Sequence, residues 1–240
     1  MKKPEVYLLF QGCTYRKYNR IDLTKLPLPK GGEWVEAEEY CCGSNFYLMG
    51  NTEMADGLRD LNLKNFKAAK ARTIVTPCPH CYTHLKRAYQ DRLRGVQILH
   101  TVQLLSITLS PKKRLTLDGE EISTYHDPCL LGRLGGIYEE PRRVLSTIYR
   151  PDQIKEMKEN RQSAPCCGSG WLVNSRLFLD LAQEIAKKRL KDAEQVSATT
   201  LITACPSCEK IFNQMIQRTE MKLKVRDISE VFLEAMGYRE

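Results

Sequence analysis

The sequence predicts an α/β protein of two duplicated halves, each with a small, mostly parallel sheet and a five-cysteine site. Three observations lead to this prediction for a chain of 240 residues. The cysteines repeat in one pattern, β-rich segments alternate with helical ones, and the order strand, cysteine, helix, strand, cysteines, helix occurs twice. Strands that alternate with helices pair in parallel. We therefore predict half-domains over residues 1–110 and 119–240, joined by a linker that ends at Gly119.

Short β-rich segments mark the predicted strands. They are Val6–Phe10 and Thr73–Pro77 in the first half, and Ile122–Tyr125 and Thr200–Ala204 in the second. The first strand of each half leads toward a single cysteine. The second leads into a Cys-Pro-x-Cys turn, which it places at the carboxyl edge of the sheet, and a helical pattern follows.

Apolar residues at helical spacing predict an amphipathic helix between the two strands of each half. The halves differ upstream of it, because Leu26–Gly32 replaces a helix that we predict over Pro141–Tyr149. The two sites are therefore expected not to be equivalent. The apolar residues of the two amphipathic helices are Met54, Leu58, Leu61 and Phe66 in the first half and Leu177, Leu181, Ile185 and Leu190 in the second.

All ten cysteines belong to the repeated pattern, which consists of a single cysteine, a vicinal pair followed by glycine, and the Cys-Pro-x-Cys turn. Intracellular thiols are kept reduced, so metal binding is favoured over a disulfide framework. The predicted ligands are Cys13, Cys41, Cys42, Cys78 and Cys81 in the first half and Cys129, Cys166, Cys167, Cys205 and Cys208 in the second.

Five thiolates exceed what one simple metal site needs. A structural zinc takes four ligands, and so does a cubane iron–sulfur cluster. Adjacent Cα atoms lie about 3.8 Å apart, so two neighbouring thiolates can reach different irons of a polynuclear cluster. Gly43 and Gly168 allow a tight turn beneath such a cluster. The pattern favours an iron–sulfur site over structural zinc or buried thiols.

Composition and charge narrow the class of protein. The net charge of +8 would fit an acidic partner, but the basic clusters are short and lack interleaved aromatic residues, which argues against nucleic-acid binding. Apolar runs are too short to span a bilayer, which leaves peripheral membrane association open. The first residues lack the apolar region of a secretory signal, so we expect a cytoplasmic protein.

Several stretches carry a resemblance to a known family. The second half contains Tyr125–Arg133, Gly136–Tyr138 and Pro141–Arg143, and the first contains Thr76–Cys81. With the two copies of the cysteine pattern, these stretches resemble the cysteine-rich CCG family over nearly the whole chain. That family includes the catalytic subunit of heterodisulfide reductase and iron–sulfur subunits of lactate, glycolate, succinate and flavoprotein-linked oxidoreductases.

The resemblance implies a non-cubane 4Fe–4S cluster at each five-cysteine motif, with zinc in the first site as the alternative. It implies the catalytic subunit of a heterodisulfide-reductase-like complex, which reduces or forms a disulfide or related sulfur bond between two facing clusters. Its substrate would be a disulfide or a thiol. The rival is an electron-transfer subunit that links a flavoprotein or dehydrogenase to a quinone or carrier. A third interpretation is a zinc-containing scaffold.

Four other side chains are candidates for roles near the clusters. His80 could hydrogen-bond a cluster sulfur or protonate a product thiolate, or be a surface turn residue. Arg133 and Arg16 could bind an anionic substrate group as forked donors, offset cluster charge, or face solvent. His126 could support a cluster from outside the ligand set or be a packing histidine. His80 and Arg133 are our candidate catalytic residues.

The sequence contains no ferredoxin-type cysteine run and no dinucleotide fingerprint. We therefore expect a ferredoxin-like iron–sulfur partner, and with it a flavoprotein partner. Basic residues are expected to be exposed and to steer an acidic partner surface into place. These are Arg142, Arg143, Lys187 and Lys188.

Overall fold

The computed structural model describes residues 5–19, 21–109, 114–115, 117, 119–170, 178–219 and 221–238. The chain divides into two compact units, Met1–Thr108 and Leu109–Glu240. Most of the predicted linker, and Leu177 of the second predicted amphipathic helix, lie outside the described residues.

The first unit is built on a four-stranded parallel sheet with strand order β2-β1-β3-β4. Among the described residues of this unit, five α-helices accompany the sheet, and the fourth continues as a π-helical turn over Leu85–Tyr89. In chain order the elements are β1 (Glu5–Leu9), α1 (Cys13–Tyr18), β2 (Gly32–Val35), α2 (Ser44–Leu48), α3 (Thr52–Ala68), β3 (Thr73–Thr76), α4 (Pro79–His84), β4 (Gln97–His100) and α5 (Thr101–Thr108).

The second unit repeats this plan with the strand order β6-β5-β7-β8, again all parallel. A π-helical turn over Leu130–Leu134 follows its first strand. In chain order the elements are β5 (Ser123–His126), α6 (Glu139–Ile148), β6 (Ile154–Lys155), α7 (Leu179–Gln195), β7 (Thr200–Thr203), α8 (Pro206–Ile216), β8 (Lys224–Asp227) and α9 (Ile228–Ala235). The predicted class, two duplicated α/β halves with parallel sheets, is confirmed.

The strand order determines where each unit can hold a ligand. β2 pairs with one edge of β1 and β3 pairs with the other edge, so the direction of strand addition reverses at β1. In the second unit β6 and β7 flank β5 in the same way. Ligands of open α/β sheets bind outside the carboxyl ends of the strands at such a switch point. The single cysteines follow β1 and β5, and the Cys-Pro-x-Cys turns follow β3 and β7. The single cysteine and the Cys-Pro-x-Cys turn of each unit therefore lie at the switch point of its sheet.

The two amphipathic helices exist, but part of the predicted apolar face was wrong. Met54 and Leu61 of α3 and Leu181 of α7 are exposed, at 48%, 45% and 54%. The buried faces carry small and polar residues instead, including Ala55 and Asn62 in α3. The reason is close packing: the glycine after each vicinal cysteine pair lies directly on the helix backbone, which leaves no room there for a large side chain.

None of the helices in the described part of the chain is both long enough and apolar enough to cross a bilayer.

Candidate metal centres

Each unit gathers its five cysteines into one continuous group of sulfur atoms. In the first unit, the Sγ atoms of Cys13 and Cys41 lie 3.9 Å apart. Sulfur–sulfur interactions then link Cys41 to Cys42, Cys42 to Cys81, and Cys81 to Cys78. The second unit has the same order of interactions, which runs through Cys129, Cys166, Cys167, Cys208 and Cys205.

The two groups also share one gradient of exposure. Both cysteines of each Cys-Pro-x-Cys turn and the second cysteine of each vicinal pair are buried. The open edge of the first group consists of exposed Cys13 and half-buried Cys41, and that of the second of half-buried Cys129 and Cys166. Each site thus has a buried floor and an edge that a small molecule can approach.

The glycine of each Cys-Cys-Gly motif is required by both backbone conformation and space. Gly43 has φ +90° and Gly168 has φ +84°, which only glycine adopts readily. A Cβ on Gly43 would lie 3.0 Å from the backbone oxygen of Ala55, and one on Gly168 would lie 2.5 Å from that of Ala182. The motif therefore seats each vicinal cysteine pair against the amphipathic helix of its unit.

Backbone amides stabilise the vicinal sulfurs as anions. The N–H of Gly168 donates to the Sγ of Cys166, and that of Ser169 donates to the Sγ of Cys167, both at 3.4 Å. The first unit has the same arrangement, with the Gly43 and Ser44 amides acting on its vicinal pair. Hydrogen bonds from amides favour the charged form of a thiol, so the tight turn supports thiolates.

In each vicinal pair one sulfur has a lowered pKa and the other a raised one, so negative charge is favoured on Cys42 in the first unit and on Cys166 in the second. Contact with the Cys41 sulfur is the main cause that lowers the pKa of Cys42, to about 5. Contact with Cys129 likewise lowers the pKa of Cys166, to about 2. Thiols this close oppose each other's ionisation, and the pKa of Cys129 is raised mainly by its interaction with Cys166. A bound cation would relieve this opposition and allow every sulfur to ionise.

The first site is supported mainly by neutral hydrogen bonds. Asn62, fully buried on α3, accepts from the Tyr40 N–H at 3.0 Å and donates to the Cys41 carbonyl at 3.1 Å. The Tyr89 hydroxyl donates to the Cys42 carbonyl at 2.8 Å. The Glu39 carboxylate accepts from the amides of Gln11 and Gly12 at 2.9 and 3.1 Å and so fixes the approach to Cys13. These supports were not predicted from the sequence.

The second site is supported by charged groups. The Asp127 carboxylate, 2% exposed, binds both terminal nitrogens of Arg142 at 2.7 and 2.9 Å. Arg142 also pairs with Glu156, and Asp127 accepts from the Arg161 amide at 2.8 Å. The prediction that Arg142 is exposed and steers a partner was wrong, because its side chain is only 12% exposed and serves this network.

The two candidate catalytic residues lie beside the cysteine groups. His80 is half-buried on the first turn of α4, between Cys78 and Cys81. Arg133 is exposed, and its Nη1 donates to the carbonyl of Ala164 at 2.8 Å, just before the vicinal pair of the second unit. Their catalytic roles stay predictions. Arg16 contacts Glu39 through its guanidinium.

His126 differs from these residues because it is fully buried within the second site. One of its ring nitrogens and the sulfurs of Cys167 and Cys208 all lie within 4.8 Å of one another. Its Nδ1 accepts a hydrogen bond from Nε of Arg189 at 3.2 Å. Burial, followed by the charge of Arg189, lowers the pKa of His126 to about 3, so the ring is neutral.

The five cysteine sulfurs of each unit fit the ligands of a polynuclear cluster of metals that prefer sulfur. The five sulfurs are contiguous, all are free thiols, and amides face the vicinal pair. Four ligands would satisfy a single zinc ion, which leaves the fifth sulfur of each group without a role in that case. The fit is equally good in both units with respect to ligand number and order.

A model of a cysteine-rich domain, CCG, matches residues 7–86 and 123–213. These ranges contain all ten cysteines and cover most of both sheets. The chain belongs to the cysteine-rich CCG family. The predicted family is therefore confirmed, and the two matched ranges are its two CCG repeats.

Two relatives of this CCG protein are about equally similar to it. The EtfAB:quinone oxidoreductase of Syntrophomonas wolfei is 31% identical over 96% of this chain and 34% of its own length. A dihydromethanophenazine:CoB–CoM heterodisulfide reductase chain of Methanosarcina barkeri is 32% identical over 95% of this chain and 58% of its own length. The CCG chain thus spans between a third and three fifths of these relatives.

Among solved structures, an aspartate racemase of Picrophilus torridus matches with a TM-score of 0.43 and 13% identity, over 98% of this chain and 95% of that one. A similarity at this level carries no functional argument.

Proposed function

We propose that this CCG protein is the iron–sulfur catalytic subunit of a heterodisulfide-reductase-like complex. It would reduce or form a disulfide, or a related sulfur bond, at two non-cubane 4Fe–4S clusters. The observation that supports this most is the repeated group of five sulfurs with a buried floor and an open edge. A site built only for electron transfer needs no such edge, whereas a sulfur substrate must reach the cluster through one.

When bound, the clusters supply single electrons and iron that binds sulfur. Reduction of a disulfide breaks one S–S bond and consumes two electrons and two protons to give two thiols. We propose that the electrons come singly from a ferredoxin-like iron–sulfur partner, which in turn receives them from a flavoprotein partner. The ten cysteines of the sequence are all used by the two groups, which is why a separate carrier is proposed. Formation of the disulfide is the same balance in reverse.

Side chains of this chain would handle the protons and orient the substrate. We propose that His80, between the two cysteines of its turn, protonates the product thiolate at the first site. Arg133 would bind an anionic group of the substrate with the guanidinium nitrogens that do not hold Ala164. Arg133→Lys should raise KM about tenfold with kcat little changed, because a lysine cannot form a fork.

A second function is favoured by one specific observation. The similarity to an EtfAB:quinone oxidoreductase fits a protein that passes electrons between a flavoprotein and a quinone without binding a sulfur substrate. The same two cysteine groups would then act only as carriers. The two functions differ in whether a disulfide or thiol interacts with the loaded protein.

Metal content tests the cofactor. Protein purified anaerobically should contain about eight irons and matching sulfide per chain, since each five-cysteine group suits a four-iron cluster. About four irons and one zinc would place zinc in one site and leave a single redox site. Zinc without sulfide would overturn the redox proposal altogether.

A titration with thiols and disulfides separates the two functions. Oxidised, iron-loaded protein is mixed with increasing amounts of a thiol, then of its disulfide, while its electron paramagnetic resonance spectrum is recorded. A signal that depends on the thiol or disulfide supports the catalytic role. If no such signal forms and the loaded protein still passes electrons from a flavoprotein to a quinone, the electron-transfer function is correct.

A further inference from the structure

The two sites differ at one buried position that the ligand pattern does not include. Phe10 and His126 each stand three residues before the first cysteine of their half, and both are fully buried. The strand register of the two units is the same, because Tyr7 pairs with Thr73 as Ser123 pairs with Thr200, three residues before Phe10 and His126 respectively. The two rings therefore start from equivalent backbone positions, although Phe10 packs edge-on against Phe66 of α3 and His126 against Phe212 of α8. Only the second has polar atoms to place there.

Arg189 determines which ring nitrogen of His126 carries the proton. Its Nε–H donates to Nδ1 at 3.2 Å, and a guanidinium is a donor only. Nδ1 therefore presents its lone pair to Arg189, and a neutral ring must carry its proton on Nε2. Arg189 is itself fully buried on α7, at the position that Asn62 occupies on α3, seven residues after the alanine beneath the glycine. The hydrogen bond that Nδ1 accepts from Arg189 thus fixes the tautomer with its proton on Nε2.

Nε2 of His126 is a buried donor without a partner among the described residues. A buried donor that finds no acceptor destabilises the fold, so the atoms beside Nε2 decide what it does. The acceptors beside the ring are the sulfurs of Cys167 and Cys208, which lie with a ring nitrogen inside a 4.8 Å group. Sulfur bound to iron carries negative charge and accepts hydrogen bonds.

We propose that the Nε2–H of His126 donates a hydrogen bond to a sulfur of the second cluster, on the side of its Cys167 and Cys208 ligands. Arg189 is the positioning residue that fixes this tautomer. The inference rests on the proposed iron–sulfur cofactor and not on the identity of the substrate. A phenylalanine cannot donate, so the first cluster receives no such bond from Phe10. The bond therefore raises the reduction potential of the second cluster, because a donor stabilises the more negative, reduced state.

The same geometry argues against His126 as a metal ligand. Coordination through Nε2 would displace its proton while Nδ1 still accepts from Arg189. The ring would then have no proton at all and would be an imidazolate. Ligating histidines instead donate their second N–H to an acceptor. The group of His126, Cys167 and Cys208 is therefore a donor beside two ligands.

The first test is spectroscopic and uses the wild-type protein. Protein labelled with 15N-histidine and loaded with iron is studied by electron–nuclear double resonance in H2O and in D2O. We expect one strongly coupled exchangeable proton and a weak 15N coupling at the second cluster, and the His126→Phe variant, which keeps His80 beside the first group, should lose both. If the second site holds its cluster but neither coupling is present, the inference is wrong and the cofactor proposal stands. If the second site holds no iron, both fail.

The second test compares variants by redox titration. His126→Phe, which copies the first site, should lower the equilibrium constant for one-electron reduction of the second cluster about tenfold, or about 59 mV. His126→Gln retains an N–H donor and should recover part of that shift. Equal shifts in the two variants would show that ring packing matters instead of the donor. Arg189→Met should weaken the 15N coupling.

A control histidine is available in the first unit. His84 is buried against Tyr47 and Tyr89 and is not among the proposed ligands or donors. His84→Phe should leave the potential of the second cluster unchanged. If it shifts that potential as much as His126→Phe does, the hydrogen bond is not the cause.

Discussion

The two halves of the molecule hold the same five sulfurs in the same order but support them with different chemistry. In the first unit, the amide of Asn62 and the hydroxyl of Tyr89 hold the backbone of the vicinal pair. In the second, Asp127 and Arg142 hold the loop ahead of the first cysteine, and Arg189 holds a histidine. The ligand pattern alone therefore does not determine the environment of the metal.

The comparison distinguishes the features that form a cysteine site from the side chains that adjust the reduction potential of a cluster bound there. The features common to both units are backbone features: the switch point, the left-handed glycine, and the amides that face the vicinal sulfurs. The features that differ are charged and aromatic side chains around that frame. Hydrogen bonds and charge near a cluster set its potential. Duplication thus supplies two similar sites that side chains can adjust separately.

The largest expected effect comes from removing one vicinal cysteine. Cys42→Ser should remove iron from the first unit, and Cys167→Ser should remove it from the second, since cluster binding is coupled to local folding. The other unit should keep its metal in each case. Iron counts and absorption spectra of the two variants check this, and each variant is the control for the other. Full iron content in both would mean that the vicinal cysteines are not ligands.

The glycines of the two motifs give the next largest effect. Gly168→Ala should destabilise its unit by about 4 kcal/mol and Gly43→Ala by about 3 kcal/mol, from left-handed backbone strain plus overpacking. The order follows from the closer approach of the Gly168 position to the helix, 2.5 Å against 3.0 Å. Denaturant unfolding of the two variants measures both values.

Matched controls exist for both glycines. Gly50 and Gly136 also have positive φ, at +80° and +70°, but nothing lies within 4 Å of a Cβ placed on them. Their alanine variants should lose only about 1 kcal/mol each from backbone strain. If all four variants lose the same amount, contact with the helices is not what requires the motif glycines.

Several strands and helices could be predicted from the sequence, because they depend on the spacing of residues along the chain. Segments near β1, β3, β5 and β7 were predicted as strands, and a helix was expected where α6 lies. The neighbouring strands β2, β4, β6 and β8 were not predicted. Glycine or charged residues interrupt Gly32–Val35 and Lys224–Asp227, and Ile154–Lys155 is only two residues long. Pairing with β1, β3, β5 and β7 defines these strands, and a local pattern does not contain that information.

The supports of the two sites could not be predicted for a related reason. Asn62 and Arg189 are polar residues within helices whose sequence indicated an exposed polar face. Their burial depends on the vicinal turn packing over the helix, which is a contact between distant parts of the chain. The one available signal was their equal spacing from Ala55 and Ala182, and the duplication must be aligned with gaps to reveal it.

A smaller effect is expected from replacing Asn62, which supports the first site by neutral hydrogen bonds, or Asp127, which supports the second site by an ion pair. Asn62→Leu leaves the Tyr40 amide and the Cys41 carbonyl without their partner and should cost about 2 kcal/mol. Asp127→Asn leaves Arg142 paired with Glu156 alone and should cost a similar amount. Denaturant unfolding measures both losses, and a loss near zero in either variant would mean that the contact it removes does not support its site.

The smallest effect concerns the apolar residues that the structure leaves exposed. Leu61 lies on α3 with 45% of its surface exposed, whereas Leu63, two residues later, is 5% exposed. Leu61→Ser should change the free energy of unfolding by less than about 0.5 kcal/mol, while Leu63→Ala should cost about 2–4 kcal/mol from lost burial and an unfilled cavity. Leu181 and Leu190 give a second pair of exposed and buried leucines, on α7, at 54% and 0%. Because both helices turn small residues toward the cysteine pair, the outer leucines should be neutral in both units. A loss above about 2 kcal/mol in Leu61→Ser or Leu181→Ser would mean that the apolar face inferred from spacing, and not the glycine contact, orients that helix.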